Sequence, residues 1–577
     1  CIATTLKAFK ENDKSLEYDF EAESAKGPKL ISENKTSIML ESGWSGEKNQ
    51  DATWVFHQKE AAKLSKRDPQ VELEIFYQRF QFIAEQMGIR LQRLAKSINI
   101  KERNDFSCAL FTKDCELIAN APHIPVHLGS MDEAVKAVHK SFSVAPGESY
   151  ILNSPTHGGT HLPDVTIITP VFQDNKLIMW VASRGHHADI GGIAPGSMPG
   201  DSKSLREEGV IIPPTLIATN NQLEEKLLQK ILTEGSYPVR DYETNLHDIS
   251  AKLSANLKGA HDILELSDKF GEDYINQMSE EILNYTHKKI ESILSHFQKA
   301  TAEKIINSKR KLKVSLTKAG DKTVFDFESS SPLLTNNFNA PVPVVQASVL
   351  FALRSMITEN IPLNSGVMRA IEIQIPKNCM LRPVEDSPVV AGNVETSQAI
   401  CDLIFEALEV KANSYGSMNN LSFGNKSIQY YETICGGSGA TENADGASAV
   451  QVNMTNSLLT DPEVMETRLP VLIELMGIRY GSGGRGARHG GDGVYRRLQF
   501  LDDVSVNMIT QAREVPPKGI HDGQPGKRGI NQIDLDGWWV NLSECFTQNI
   551  KAGSRLSIST PGGGGFGKPN ESNIHYV

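Results

Sequence analysis

Seven of the fifteen histidines fall between residues 123 and 187, among them His123, His127, His157, His161, His186 and His187. Imidazole is the commonest metal-binding side chain and changes charge near neutral pH, so this density points first to metal binding and proton transfer. The densest stretch runs from Asn153 to Asp164 and holds His157, Gly158, Gly159, His161 and Pro163. Further along, Arg184, His186, His187 and Asp189 stand close together. Two β-rich runs, Asp164–Phe172 and Lys176–Ser183, lie between, joined by Gln173, Asp174 and Asn175, a hairpin signal.

A turn centred between Asp174 and Asn175 makes antiparallel partners sum to about 349. His186 then falls opposite Pro163 and beside Asp164, with His161 one step beyond. Opposed residues stand roughly 4.5–5.5 Å apart. Two imidazoles and a carboxylate can therefore converge on one ion, and a slip of one residue would send one of them to the other face. Pro163 excludes His161 and Asp164 as a helical pair, so a rigid turn must present them, bent at Gly158 and Gly159. His161, Asp164 and His186 suit a divalent metal such as Zn, Mn or Fe with positions left for water and substrate. The competing reading makes these histidines hydrogen-bonding turn residues. His123 and His127, flanking Pro125, read as packing residues.

The elements that must hold this set alternate in type. Val71, Ile75, Phe76, Phe80, Ile83, Met87 and Leu91 recur at helical spacing and predict a helix over 70–98. Short strands follow at Cys108–Phe111 and Glu116–Ala119, then a helix over 131–142. Residues 220–310 read as mainly helical, with one long run over Asp262–Phe297. Strand is expected at 311–329, helix at Pro341–Glu359 and again at Thr396–Ala412. The fold class is mixed α-β, an α+β body with a helical middle and a Gly-rich β C-terminal part. Its expected regions are 1–66, 67–219, 220–310 and 311–577.

The formal net charge of −11 argues against a nucleic-acid footprint or a polybasic membrane anchor. No apolar run approaches the roughly 18 residues of a membrane helix. Seven scattered cysteines without a CxxC pair suggest neither a disulfide framework nor a Cys-based zinc site, and a reducing, cytoplasmic setting is expected. The chain starts at Cys1 without a signal-like segment, as a piece of something longer would.

Of 45 glycines, 23 lie in residues 436–577. Gly481 to Gly486 satisfies GxGxxG, but Ile478 to Tyr480 before it reads as a poor strand and no helix follows, unlike a dinucleotide site. Pro561 to Lys568 lacks the Ser/Thr and helix of a phosphate loop. Cys435 to Gly439 could offer a nucleophile or backbone N–H groups. Tight turns between strands are the favoured reading of all three.

Several segments resemble the hydantoinase B/oxoprolinase family: Ile83–Gly88, Asn99–Leu110, Asn120–Met131, Asn153–Phe172, Val181–Pro199, Gly392–Gln398, Asn419–Gly439, Met454–Leu469 and Gly481–Gly493. Residues 1–60 resemble the tail of the hydantoinase A-like partner. The resemblance implies the hydrolytic half of an ATP-dependent oxoprolinase, opening the 5-oxo-L-proline lactam to L-glutamate. ATP would be bound by the hydantoinase A-like half, not by this chain. Related acetone carboxylases bind a metal through two His and one Asp, and position by position that pattern falls on His161, Asp164 and His186. His157, His187 and Asp189 become catalytic candidates, Arg184 a substrate-carboxylate binder, and Glu207 and Glu208 weaker acid–base candidates. The family also implies a homo- or hetero-oligomer, with no nucleic-acid or membrane partner. Hydrolysis of a hydantoin-type ring, ketone carboxylation, and a docking subunit with a structural metal are the alternatives.

Overall fold

The computed structural model describes residues 17–19, 24–27, 29–33, 36–40, 43–49, 53–58, 68–121, 123–297, 299–359, 363–535 and 537–569. Cys1, on which the expectation of a longer parent rests, lies outside the described residues. Contacts divide the chain into two compact units, Cys1–Glu74 and Ile75–Val577. In the first, strands 17–19, 29–33 and 36–40 form one small sheet, and 24–26, 44–48 and 54–58 another. Ala25, Ile31 and Leu40 are buried there.

The boundary falls inside helix α1 (Pro69–Leu94), whose Phe76, Phe80, Ile83, Met87 and Leu91 form the expected buried stripe. The site-bearing part of the second unit is a seven-stranded antiparallel sheet. Its strands are β1 (Phe106–Thr112), β2 (Leu117–Asn120), β3 (Ser149–Leu152), β4 (Asp164–Gln173), β5 (Lys176–His186), β6 (Thr215–Thr219) and β7 (Gln222–Leu223), in the order β7-β6-β3-β4-β5-β1-β2. Helix α2 (Met131–Ser141) covers one face, setting Ala134, Val135 and Val138 against Phe111, Ile168, Trp180 and Ala182. The other face buries Val165 and Ile167 with Leu228 and Leu232 of α3 (Glu225–Thr233) and Ile249 of α4 (Tyr242–Phe270). A sheet covered on both sides reads as continuous apolar runs, which is why β4 and β5 show no clean polar alternation.

The helical middle differs from expectation in two places. Gly271, at φ +86°, ends α4 and separates it from α5 (Glu272–Leu294), so Asp262–Phe297 is not one helix. Residues 299–307 are strand β8 (Lys299–Asn307) rather than helix, and pair with β9 (Arg310–Ala319). Strands β10 (Lys322–Asp326) and β11 (Ile371–Gln374) complete a four-stranded sheet, joined to each other in parallel. The helix expected at Pro341–Glu359 is α6 (Val342–Arg354). The one expected at Thr396–Ala412 is a π-helical turn, Gly392–Thr396, running into α7 (Ser397–Ala407).

Two further sheets form the C-terminal part. One is β12 (Asn420–Gly424), β13 (Gln429–Thr433), β16 (Val504–Ile509) and β19 (Cys545–Ile550). The other is β14 (Val471–Arg479), β15 (Gly493–Phe500), β17 (Ile530–Leu535), β18 (Trp538–Asn541) and β20 (Arg555–Ser559). The glycine clusters beside them are mostly not turns. Within 436–439, 481–493 and 562–567 only Gly481 and Gly567 have positive φ. Instead the main chains lie against one another: Gly563 N donates to Gly491 O at 2.9 Å, and Gly491 N to Ser438 O at 2.9 Å. A Cβ on Gly563 would stand 2.0 Å from Ser438 O. Missing side chains are what permit this spacing.

Candidate metal and catalytic site

Pairing of β4 with β5 starts at the turn with Gln173 opposite Lys176, a sum of 349, but a bulge between Val171 and Phe172 leaves Ile178 unpaired and raises the sum by one. Asp164 therefore stands directly opposite His186, and the two side chains share a face. His161 reaches the same place from the turn before β4. That turn is tightly set: a Cβ on Gly158, whose φ is +88°, would lie 2.2 Å from Ala134 N, and one on Gly159 would lie 2.0 Å from Asn153 O.

Ligand-type atoms of His161, Asp164 and His186 lie within 4.8 Å of one another, and all three residues are buried. Their partners occupy the far atoms of the two imidazoles and leave the near ones bare. Asp164 Oδ2 accepts from Thr160 Oγ1 at 2.5 Å and lies 2.9 Å from His161 Nδ1. Asn393, from the π-turn, sets its amide 2.5 Å from His161 Nδ1. Asn99 sets its own amide 3.0 Å from His186 Nδ1. His161 Nε2 and His186 Nε2 are buried without a hydrogen-bond partner among the described residues, while Asp164 Oδ1 has His127 Nε2 3.1 Å away. Tyr431 stacks on His186, ring centroids 4.4 Å apart and 7° from parallel.

Burial pushes the His186 imidazole well below the usual histidine range, so it stays neutral. Burial alone would raise Asp164, but His127 and His161 outweigh it and hold the carboxyl well below the usual carboxylate range. Two imidazoles, each with a bare ring nitrogen, beside a carboxylate are the donor set of a divalent metal.

The other sequence candidates are placed differently. His157 is half-buried, with Nδ1 near Ser154 Oγ and Thr156 Oγ1, and lines a groove of about 700 Å³ with Lys136, Lys140 and Pro341. His187 is on the opposite side of the chain from His186 and turns to α4. Its Nδ1 lies 2.5 Å from Asn245 Oδ1, and its Nε2 2.7 Å from Lys252 Nζ. Asn245 Nδ2 donates to Asp189 O and Asp241 O, so Oδ1 is an acceptor and the His187 proton sits on Nδ1. Asp189 takes Arg240, Gly191 N and Gly196 N, and so pins the Gly-rich loop.

Arg184 is fully buried, and each of its three nitrogens already has an acceptor: Thr166 Oγ1, Ser130 Oγ and Gly158 O. Glu207 accepts from Lys203 N. Glu208 accepts from Val389 N, Val390 N and Ser202 Oγ, and burial raises it to about 8. His123 packs as expected, its Nδ1 accepting from Cys108 N. His127, read as a packing residue, instead places Nε2 3.1 Å from Asp164 Oδ1.

Sequence reasoning missed Asn99, Thr160, Asn393 and Tyr431. All four lie in segments already singled out by resemblance. Nothing in their spacing marks them, because each comes from a different element and only the tertiary fold aims it.

The family profile described as Hydantoinase B/oxoprolinase matches residues 69–569. A 5-oxoprolinase of Dictyostelium discoideum is 38% identical over 95% of this chain and 44% of its own length. 5-Oxoprolinase 1 of Arabidopsis thaliana is 41% identical over 86% of this chain and 42% of its own. The chain thus spans less than half the length of these relatives. Among solved structures, the ATP-dependent caprolactamase of Pseudomonas jessenii superposes with a TM-score of 0.78 at 23% identity, covering 87% of this chain and 92% of that one.

Proposed function

The chain belongs to the hydantoinase B/oxoprolinase family, and from that premise we propose that it is the hydrolytic half of a 5-oxoprolinase, opening 5-oxo-L-proline to L-glutamate in the cytoplasm. In the net reaction the oxygen of water joins the ring carbonyl carbon, the C–N bond breaks, and the ring nitrogen becomes the α-amino group. An unstrained lactam resists this, so the reading includes a hydantoinase A-like partner that binds ATP and activates the ring. The observation that carries the proposal is the convergence of two unpartnered imidazole nitrogens and a carboxylate, all buried, in a chain with 5-oxoprolinases among its relatives.

His161, Asp164 and His186 would hold one divalent cation, Zn, Mn or Fe. Such a cation supplies Lewis acidity toward a carbonyl oxygen and a lowered pKa for water. Asp164 brings the negative charge and the two imidazoles bring lone pairs. Asn99 presents Nδ2 to His186 Nδ1; rotation of that amide would bring Oδ1 there to accept an Nδ1 proton and leave Nε2 bare, as the Asp164 carboxylate would for His161. The Tyr431 ring fixes the plane of His186. His127 Nε2 is the group positioned to hold a proton beside the carboxylate. Burial of all these groups excludes bulk water, which strengthens each charge interaction.

The test combines this chain with its ATP-binding half and measures glutamate release from 5-oxo-L-proline. Release is expected, with loss of at least about a hundredfold in His186→Ala. Turnover of a hydantoin without any glutamate release would overturn the proposal.

A further inference from the structure

Away from the buried trio, Arg479, Arg513, Lys527 and Arg528 line one pocket of about 670 Å³ between the end of β14, the 513–529 loop and the start of β17. None of its lining residues is acidic. Such a gathering is unexpected on a chain with net charge −11.

The positive groups are held by neutral oxygens rather than by carboxylates. Arg479 Nη1 donates to Arg528 O at 2.8 Å and Thr560 O at 2.9 Å. Arg513 donates to Asn419 Oδ1, Gln511 O and Asn531 Oδ1. Arg528 Nη1 donates to Glu514 O at 3.2 Å. Among the described residues none of the four forms an ion pair with an acidic side chain, and Lys527 is exposed. Other arginines in the same part of the chain are paired, Arg496 with Glu432 and Arg555 with Glu474.

The floor is built for this arrangement. A Cβ on Gly529 would lie 2.6 Å from the Arg513 guanidinium carbon, so only glycine lets that plane rest against the main chain. Burial pulls Arg513 down to about 10, yet it stays charged at neutral pH. Glu395 and Glu544 attract it from a distance without pairing with it. Arg479 keeps Nε and Nη2 free of protein partners among the described residues, and guanidinium donors in a fork match a tetrahedral oxyanion.

We propose that this pocket binds a small phosphate-bearing polyanion, with pyrophosphate as its simplest form. Four uncompensated cations around one cavity call for a ligand of more than one negative charge, which a monocarboxylate does not supply. The concave shape and the recessed Arg513 favour a small molecule over an acidic protein surface. This inference does not depend on the chemistry of the histidine site.

Calorimetric titration of the chain at low salt tests it with pyrophosphate, inorganic phosphate and the dicarboxylate glutarate. Saturable pyrophosphate binding is expected, weaker for phosphate and absent for glutarate. Raising the salt should weaken it, as screening requires. The exposed pair Lys527→Ala/Arg528→Ala should weaken binding at least about tenfold while leaving the melting temperature unchanged. His186→Ala should leave binding intact. No saturable binding, glutarate binding as tightly as pyrophosphate, retention in the double variant, or loss in His186→Ala alone would each overturn the proposal.

Discussion

Asn393 acts on the trio through one amide, 2.5 Å from His161 Nδ1 and 3.4 Å from Asp164 Oδ2. Groups that orient metal ligands typically contribute 10–100-fold in affinity. We therefore expect Asn393→Ala to lower metal affinity about tenfold or more in a chelator competition, with the fold retained by circular dichroism. His186→Ala should lose stoichiometric metal altogether in elemental analysis. Arg184 belongs to a different argument. Its guanidinium is enclosed by Thr166, Ser130 and Gly158, so removing it leaves buried acceptors unpaired. Arg184→Met is expected to cost about 2–3 kcal/mol in urea unfolding with KM for 5-oxo-L-proline unchanged. A raised KM at unchanged stability would instead support the substrate-binding role that the family resemblance implied.

At the scale of elements, the face of the sheet on which a residue falls decides its environment. Asp164, Thr166 and Ile168 point toward α2, while Val165 and Ile167 point toward α4, as the two-residue period of a strand requires. Lys252 of α4 meets the second face with Nζ 3.0 Å from Val165 O and 2.7 Å from His187 Nε2. Burial lowers this amine from 10.5 to about 7. Between those values the unfolded chain binds more protons than the folded one, so stability should rise as pH climbs from about 7 toward 10. Below about pH 7 the full cost of charging the buried amine is present. Subtracting the curve of Lys252→Met from that of the native chain isolates this slope; parallel curves would show that Lys252 is already charged at neutral pH.

On the scale of the whole molecule, the C-terminal glycines join segments far apart in sequence. Gly437, Gly491 and Gly563 bring three stretches of main chain to within van der Waals limits. Ordinary overpacking costs about 1–3 kcal/mol, and here the clash would be with backbone, which cannot rotate aside. Gly563→Ala is expected to lower stability by at least about 3 kcal/mol, read as a fall in melting temperature or as loss of soluble protein. The same substitution at Gly477, where a Cβ would meet nothing within 4 Å, serves as the control.

Local chemistry was enough to find the hairpin, the turn at Gly158 and Gly159, the helix stripe of α1 and the set His161, Asp164 and His186. Each depends on periodicity or on residues close in sequence, where chain geometry leaves few choices. The direct pairing of Asp164 with His186 needed the bulge at Ile178, which no residue type announces. Only the tertiary structure brought Asn99, Asn393 and Tyr431 to the histidines, turned His187 away, and gave each Arg184 nitrogen an acceptor. It also made packed main chain of glycines that read as turns. Side chains recruited from distant elements are placed by the packing of those elements, and no spacing along one segment encodes that.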